Sequence, residues 1–421
     1  MEYIDTGYKP GDNDLLTVFR VKPAEGKKFK DVAEALAGES SIGTWTDLST
    51  MVPEVAERLK PHIYRIAEPY CWIAYPSELF ESGSIPQILS SIAGNIYGMK
   101  AVARLRLVDF RLPSRMVAGF TGPRLGREGV RERMGIAGRP LIGTIVKPKV
   151  GLSSQQFAEV LYEAMAGGCD IVKDDENLTD QEFNRFEQRL ELALTAAERA
   201  ETETGERKGY MPNVTAPGDE LMRRLELVKK AGSRYVMVDV VTTGFSGVQM
   251  LRNHSDGLAI HAHRAMYAAF TRVPDHGMST LSFSKFCRFA GVDQLHVGTI
   301  VGKMEGDKEE ILRMHEEMRG DVVEPGDRLL GQDWGSLRPV LSVASGGVHP
   351  FLIEDIVGHF GKDLAIMLGG GIHGHPEGTR AGARTARKVL DAALRGESVK
   401  ELAEKDGDVG KAYELWGQKE W

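Results

Sequence analysis

The sequence predicts an α/β protein: a C-terminal (β/α)8 TIM barrel preceded by a smaller N-terminal α+β domain of ferredoxin-like type. Three observations carry that reading. From residue 140 onward, eight apolar runs alternate with helical patterns across roughly 250 residues, the span of such a barrel. Polar and charged residues recur at the C-terminal ends of those runs, where barrels place their chemistry. A glycine-rich nucleotide fingerprint after the first run is missing, which counts against an open doubly wound sheet.

The elements follow in order. Residues 14–22 alternate as a strand, and an amphipathic helix is expected near 29–37. Strand-like runs at 62–66 and 70–75, a helix near 85–93 and a strand from Ala101 complete a small mixed domain over residues 1–125. A Gly/Pro/Arg-rich segment opening at Gly122 leads into a linker with a short helix, 126–139. The barrel and a C-terminal helical tail occupy 140–421. Its strands are expected at 142–147, 169–174, 210–215, 235–241, 258–263, 293–299, 340–345 and 364–369.

Composition bounds the function classes. A length of 421 residues calls for two or three domains, and 42% hydrophobic residues supply their cores. With 53 Lys+Arg against 60 Asp+Glu, the net charge of -7 gives no basis for nucleic-acid or anionic-membrane binding. Cys71, Cys169 and Cys287 are far apart in apolar surroundings and read as buried thiols in a reducing compartment. The polar N-terminal stretch resembles no leader and no apolar run approaches a membrane span, so a soluble, cytoplasmic protein is expected.

The chemistry concentrates in Cys169-Asp-Ile-Val-Lys173-Asp174-Asp175-Glu176, an apolar strand running into one lysine and three acids. Strand alternation puts Lys173 and Asp175 on one face, and Glu176 joins them as the chain turns. Two carboxylates suit a hard ion such as Mg²⁺. The lysine is then a counter-ion, a base of lowered pKa, or the carrier of a carbamate that adds a third anionic oxygen. The bland alternative is a solvated acidic loop. Ser345-Gly346-Gly347 and Gly369-Gly370-Gly371 end the seventh and eighth runs, where glycines let backbone N–H groups approach a phosphate. Arg264 and His296 are candidates for a second anionic group. His263, beside Arg264 and facing the acid–lysine cluster, suits proton transfer, as does one of the pair Lys147 and Lys149. The stretch Gly298 to Gly306 brackets Lys303 with glycines, as in a loop that closes over substrate.

Assembled in order, these pieces resemble the ribulose-1,5-bisphosphate carboxylase/oxygenase (RuBisCO) large subunit, most closely its archaeal form III group. The likeness covers almost the whole chain. It rests on the motifs spanning residues 38–45, 91–95, 147–153, 167–177, 261–266, 296–306 and 344–349. The resemblance implies carboxylation of ribulose 1,5-bisphosphate by CO₂ to two 3-phosphoglycerates, with O₂ competing for the same enediolate. It implies Lys173 carbamylated by an activating CO₂ and holding Mg²⁺ with Asp175 and Glu176, the carbamate also serving as base. Lys147 would protonate the product, Lys149 and His263 would assist, and Lys303 would steady the new carboxylate. One phosphate would meet Thr44, Trp45, Gly347, Gly369 and Gly370, and the other Arg264, His296 and Ser345. Glu39, Thr44, Trp45 and Asn95 would reach the site of a neighbouring subunit, so at least a homodimer is implied, with no small subunit. The alternative is a RuBisCO-like enolase or isomerase that fixes no CO₂. Three positions depart from the commonest pattern, namely Tyr267, Ile145 and Met367. The last two are expected to remove hydrogen bonds near the substrate.

Overall fold

The computed structural model describes residues 2–44, 46, 48–301 and 308–417. The chain folds as two compact units. One comprises Met1–Gly122, Met266–Ala290 and Gly320–Arg338, and the other Pro123–Ala265, Gly291–Arg319 and Pro339–Trp421.

The first unit is built on four antiparallel strands, β1 (Asp14–Pro23), β2 (His62–Ala67), β3 (Tyr70–Pro76) and β4 (Val102–Arg111), in the order β4-β1-β3-β2. Helices Phe29–Glu39 and Ile85–Ile92 lie in the β1–β2 and β3–β4 connections, which is the ferredoxin-like arrangement. The first helix buries Phe29, Val32, Ala33 and Leu36, a stripe at helical spacing. Segments 266–290 and 320–338 fall within the barrel half of the sequence, yet they pack with this unit. Helix Thr280–Ala290 is buried from Leu281 to its end, so its two cations, Lys285 and Arg288, need buried partners. Lys285 Nζ finds Asp109 Oδ1 of β4 at 2.7 Å, and Phe286 stacks on Phe110 with ring centroids 4.2 Å apart. The Leu330 backbone N–H donates to the other Asp109 oxygen at 2.7 Å. Such long-range pairings are invisible to a contiguous division of the sequence.

The second unit is the barrel. Its parallel strands are β5 (Leu141–Ile145), β6 (Ile171–Lys173), β7 (Gly209–Met211), β8 (Tyr235–Asp239), β9 (Ala259–His263), β10 (Gln294–His296), β11 (Leu341–Ser345) and β12 (Leu364–Met367). They run in the order β7-β6-β5-β12-β11-β10-β9-β8. Closure between β7 and β8 comes from Met237, whose N–H donates to Pro212 and whose carbonyl accepts from Val214, at 2.8 and 3.0 Å. All eight expected strands are present. Several end early: Pro212 follows β7, a helical turn opens at Val240 after β8, and Asp174 follows β6.

Inward-facing residues fill the interior: Leu141, Ile171, Met211, Tyr235, Met237, Ala259, Leu341, Val343, Ala365 and Met367. Small residues make the large ones possible. A Cβ at Gly143 would collide with the Met367 sulfur, and one at Gly209 would lie 2.7 Å from the Tyr235 ring. Among the described residues, no helix is long and apolar enough to cross a membrane.

Candidate active site

β6 delivers its charges to the C-terminal mouth of the barrel, and neighbouring strands supply partners. Lys173 and Asp175 are each 1% exposed. Lys173 Nζ lies 3.2 Å from Glu176 Oε2 and 3.9 Å from Met237 Sδ, and donates to the Asp174 carbonyl at 2.9 Å. Lys147, just beyond β5, places Nζ 2.8 Å from Asp175 Oδ2, while Asn177 donates to Oδ1 from both backbone and side chain. Burial works to raise the Glu176 carboxyl, but Lys173 and then His263 outweigh it and hold the group down at about 2. Among the described residues no three His, Cys, Asp or Glu side chains form a ready metal site. What the end of β6 assembles is two adjacent carboxylates, Glu176 paired with Lys173 and Asp175 paired with Lys147.

Asp174 turns the other way. It is wholly buried and accepts from Arg189, whose Nη2 is 3.1 Å away, from the Tyr210 hydroxyl at 2.7 Å and from the Asn213 N–H at 2.9 Å. That triple anchor pins the point at which β6 becomes loop. The acidic run therefore divides: one acid is structural and two face the mouth.

The histidines also divide. His263 Nδ1 lies 2.8 Å from Asp239 Oδ1 at the end of β8, and its Nε2 lies 3.6 Å from Glu176 Oε2. The Ala265 N–H approaches Nδ1 at 3.2 Å, but the carboxylate contact is shorter and charge-assisted, so Nδ1 carries the proton. Nε2 is then the nitrogen available to substrate. His261 is buried, its Nε2 2.9 Å from His296 Nε2, and His296 Nδ1 is 2.6 Å from Ser345 Oγ. Burial, then the nearby Lys173 charge, pushes His261 down to about 3, and burial likewise holds His296 well below its ordinary value. Both rings of this pair are neutral. The two nitrogens of His296 are occupied within the protein.

Ser345 leads into Gly346 and Gly347, whose φ of 116° and 72° suits glycine. Lys147 Cε lies 3.5 Å from where a Cβ on Gly369 would sit, which brings the end of β12 beside the lysine after β5. Arg264 is buried, and its Nη2 lies 3.1 Å from where a Cβ on Gly298 would project, so that glycine is what admits the guanidinium. Lys149, Gly347 and Gly370 are exposed. Thr44 and Asn95 are exposed and Glu39 is half-buried, all in the first unit. Trp45 and Lys303 lie outside the described residues.

Ile145 and Met367 pack with the apolar barrel core. Tyr267 packs against Phe283, ring centroids 6.4 Å apart. Sequence reasoning passed over Asp239, Asn177, Arg189 and Gln294. For Asp239 and Gln294 a signal existed: each shares strand parity with residues that face the barrel interior.

Comparison with known proteins places this geometry in a family. Residues 2–116 match the ribulose bisphosphate carboxylase large chain, N-terminal domain, and residues 126–416 match the ribulose bisphosphate carboxylase large chain, catalytic domain. The ribulose bisphosphate carboxylase of Methanosarcina acetivorans is 51% identical over 425 residues, covering 99% of each chain. That of Methanocaldococcus jannaschii is 50% identical over 427 residues, covering 99% of this chain and 100% of its own. Among solved structures, the dimeric archaeal Rubisco of Hyperthermus butylicus superposes with a TM-score of 0.94 at 45% identity, covering 99% of both chains. The octameric Rubisco of Pyrococcus horikoshii gives 0.92 at 42% identity, covering 100% of this chain and 97% of its own. The chain belongs to the ribulose bisphosphate carboxylase large-chain family.

Proposed function

We infer that the protein is a ribulose-bisphosphate carboxylase: it joins CO₂ to ribulose 1,5-bisphosphate and yields two molecules of 3-phosphoglycerate, with O₂ as a competing electrophile. The observation that carries this reading is the meeting of Lys173, Asp175, Glu176, Lys147 and His263 at the mouth of the barrel, in a chain about half identical to carboxylases along its full length.

The donor set fits Mg²⁺ on one condition. Asp175 and Glu176 offer hard oxygens, whereas an ammonium on Lys173 has no lone pair to give, so Lys173 must take up an activating CO₂ as carbamate. When bound, the metal supplies Lewis-acid stabilisation of negative charge on the substrate oxygens. Lys147 Nζ stands beside the cluster, 2.8 Å from Asp175 Oδ2, and is placed to deliver a proton to the product carbon. His263, held by Asp239, exchanges a proton through Nε2. Thr44, Trp45, Gly347, Gly369 and Gly370 bind one phosphate. Arg264, His296 and Ser345 bind the other, His296 acting through Ser345. Lys149 assists proton transfer and Lys303 steadies the nascent carboxylate. Glu39, Asn95, Thr44 and Trp45 complete the site of a second copy, so the working unit is a homodimer or an assembly of dimers, without a small subunit. A cytoplasmic setting agrees with three free, buried thiols.

The test is incorporation of labelled CO₂ into 3-phosphoglycerate under anaerobic conditions, after preincubation with Mg²⁺ and bicarbonate. Wild-type turnover is expected, with loss of at least about a thousandfold in Lys173→Ala and a large loss in Lys303→Ala. Proton exchange at C3 without fixation would instead establish the enolase reading.

A further inference from the structure

The glycine turn after β12 is tied to β5 by side chains as well as by the ladder. The last paired residues of the two strands are Met367 and Gly143, and the Leu368 N–H donates to the Gly143 carbonyl at 2.9 Å. Thr144, the next residue of β5, is wholly buried, and its hydroxyl reaches the Leu368 carbonyl at 2.5 Å. His373 ends the short helix Gly370–His373 and brings Nε2 to 3.0 Å from the same Thr144 oxygen. Its Nδ1 lies 3.0 Å from the Thr379 hydroxyl, in the first turn of helix Gly378–Arg395.

Each hydrogen in this group has one place to go. A carbonyl can only accept, so an approach of 2.5 Å between the Thr144 and Leu368 oxygens requires the Thr144 hydrogen to lie between them. Thr144 then has only lone pairs to offer His373, and Nε2 must carry a hydrogen. Burial pushes the ring down to about 4; the adjacent Ile145 carbonyl opposes this by accepting from it, and the Lys147 charge adds to the fall. The ring is therefore neutral and holds one hydrogen. Nδ1 is left as an acceptor, and the Thr379 O–H donates to it. Donation runs from Thr379 to His373, from His373 to Thr144, and from Thr144 to the Leu368 carbonyl, with every donor matched to an acceptor.

This group stops at the residue before Gly369. Among the described residues, the N–H groups of Gly369, Gly370 and Gly371 have no hydrogen-bond partner. Three successive free backbone donors suit an anionic oxygen, provided that the backbone carrying them is held still. We propose that Thr144 and His373 are positioning residues: they fix the Leu368 carbonyl and the short helix, and so hold these N–H groups in place for an anionic oxygen of the substrate. Calling that anion a phosphate rests on the bisphosphate reading above; the order of the hydrogen bonds does not.

Nitrogen-15 spectra of the full-length protein labelled at histidine read the His373 tautomer, with His373→Gln assigning its signals. A neutral ring protonated at Nε2 is expected near pH 7.5, and protonation at Nδ1 overturns the proposal. Thr144→Val keeps the shape and removes the hydroxyl. It is expected to raise KM for ribulose bisphosphate roughly threefold to tenfold while kcat stays within about threefold. Thr144→Ser restores the hydroxyl and is expected to return KM to within about twofold of wild type. Should Thr144→Val fail to fold, His373→Leu and His373→Gln give the same comparison, because glutamine keeps an N–H for Thr144. An unchanged KM in Thr144→Val or His373→Leu, or a KM that the conservative variant does not restore, overturns the proposal. If the protein fixes no CO₂, its affinity for inorganic phosphate takes the place of KM. Weakening in Thr144→Val that Thr144→Ser reverses then sustains the proposal and refutes the carboxylase reading, whereas equal affinities refute both.

Discussion

Asp239 decides what His263 can do. By accepting the Nδ1 proton at 2.8 Å it fixes one tautomer and aims Nε2 at the cluster around Glu176. Asp239→Asn keeps the shape but presents an amide that no longer favours that tautomer. The expected result is a fall in kcat on the order of tenfold to a hundredfold with little change in KM, and a shifted pH–rate profile. A profile and kcat equal to wild type would show that His263 takes no part in proton transfer. The residue scale also explains what the sequence showed plainly. Lys173, Asp175 and Glu176 are legible because charge beside a buried strand is rare. Asp239 is less so, since its meaning depends on a histidine in the next strand.

At the scale of elements, the site depends on how strands end. β6 stops at Lys173 because Asp174 is taken up by Arg189, Tyr210 and the Asn213 N–H, outside the barrel interior. Arg189 and Asp174 are both fully buried, so Arg189→Met would strand a carboxylate without its cation. Destabilisation of about 3–5 kcal/mol is expected, seen as a lower urea midpoint. Loss of Mg²⁺-dependent activity should accompany it, because Lys173 and Asp175 flank the freed residue. A second device is size exchange between neighbours. Gly143→Ala, pressing on Met367, is expected to cost about 1–3 kcal/mol by the same measurement. A neutral result would mean that the interior yields more readily than its packing indicates.

At the scale of the whole molecule, buried neutral histidines set the acid limit. His261 is pushed down to about 3 and His315 to about 4, in each case by burial first, and His296 lies well below its ordinary value. The folded chain leaves these rings unprotonated while the unfolded chain protonates them near 6.5. Stability is therefore full above that pH and is lost as pH falls toward the folded values. Each ring contributes a slope of about 1.4 kcal/mol per pH unit, so the three together approach roughly 4. Glu176, depressed to about 2 from 4.5, loses its contribution only in the lower window between those values. Urea midpoints should be flat from pH 7.5 to 6.5 and drop sharply by pH 5.5. A flat profile to pH 5.5 would show that these rings are not held neutral.

The sequence by itself determined the fold class, the eight barrel strands and the cluster at the end of β6. Those features rest on local periodicity and on charges adjacent in the chain. Tertiary structure alone decided the rest: that Asp174 turns away from Asp175, that Lys147 meets Asp175, that Met367 fills the space left by Gly143, and that segments 266–290 and 320–338 pack with the N-terminal sheet. The physical reason is common to all four. A buried polar or bulky side chain must find its partner or its space wherever the fold provides it, and that neighbour is set by contacts between residues far apart in the chain.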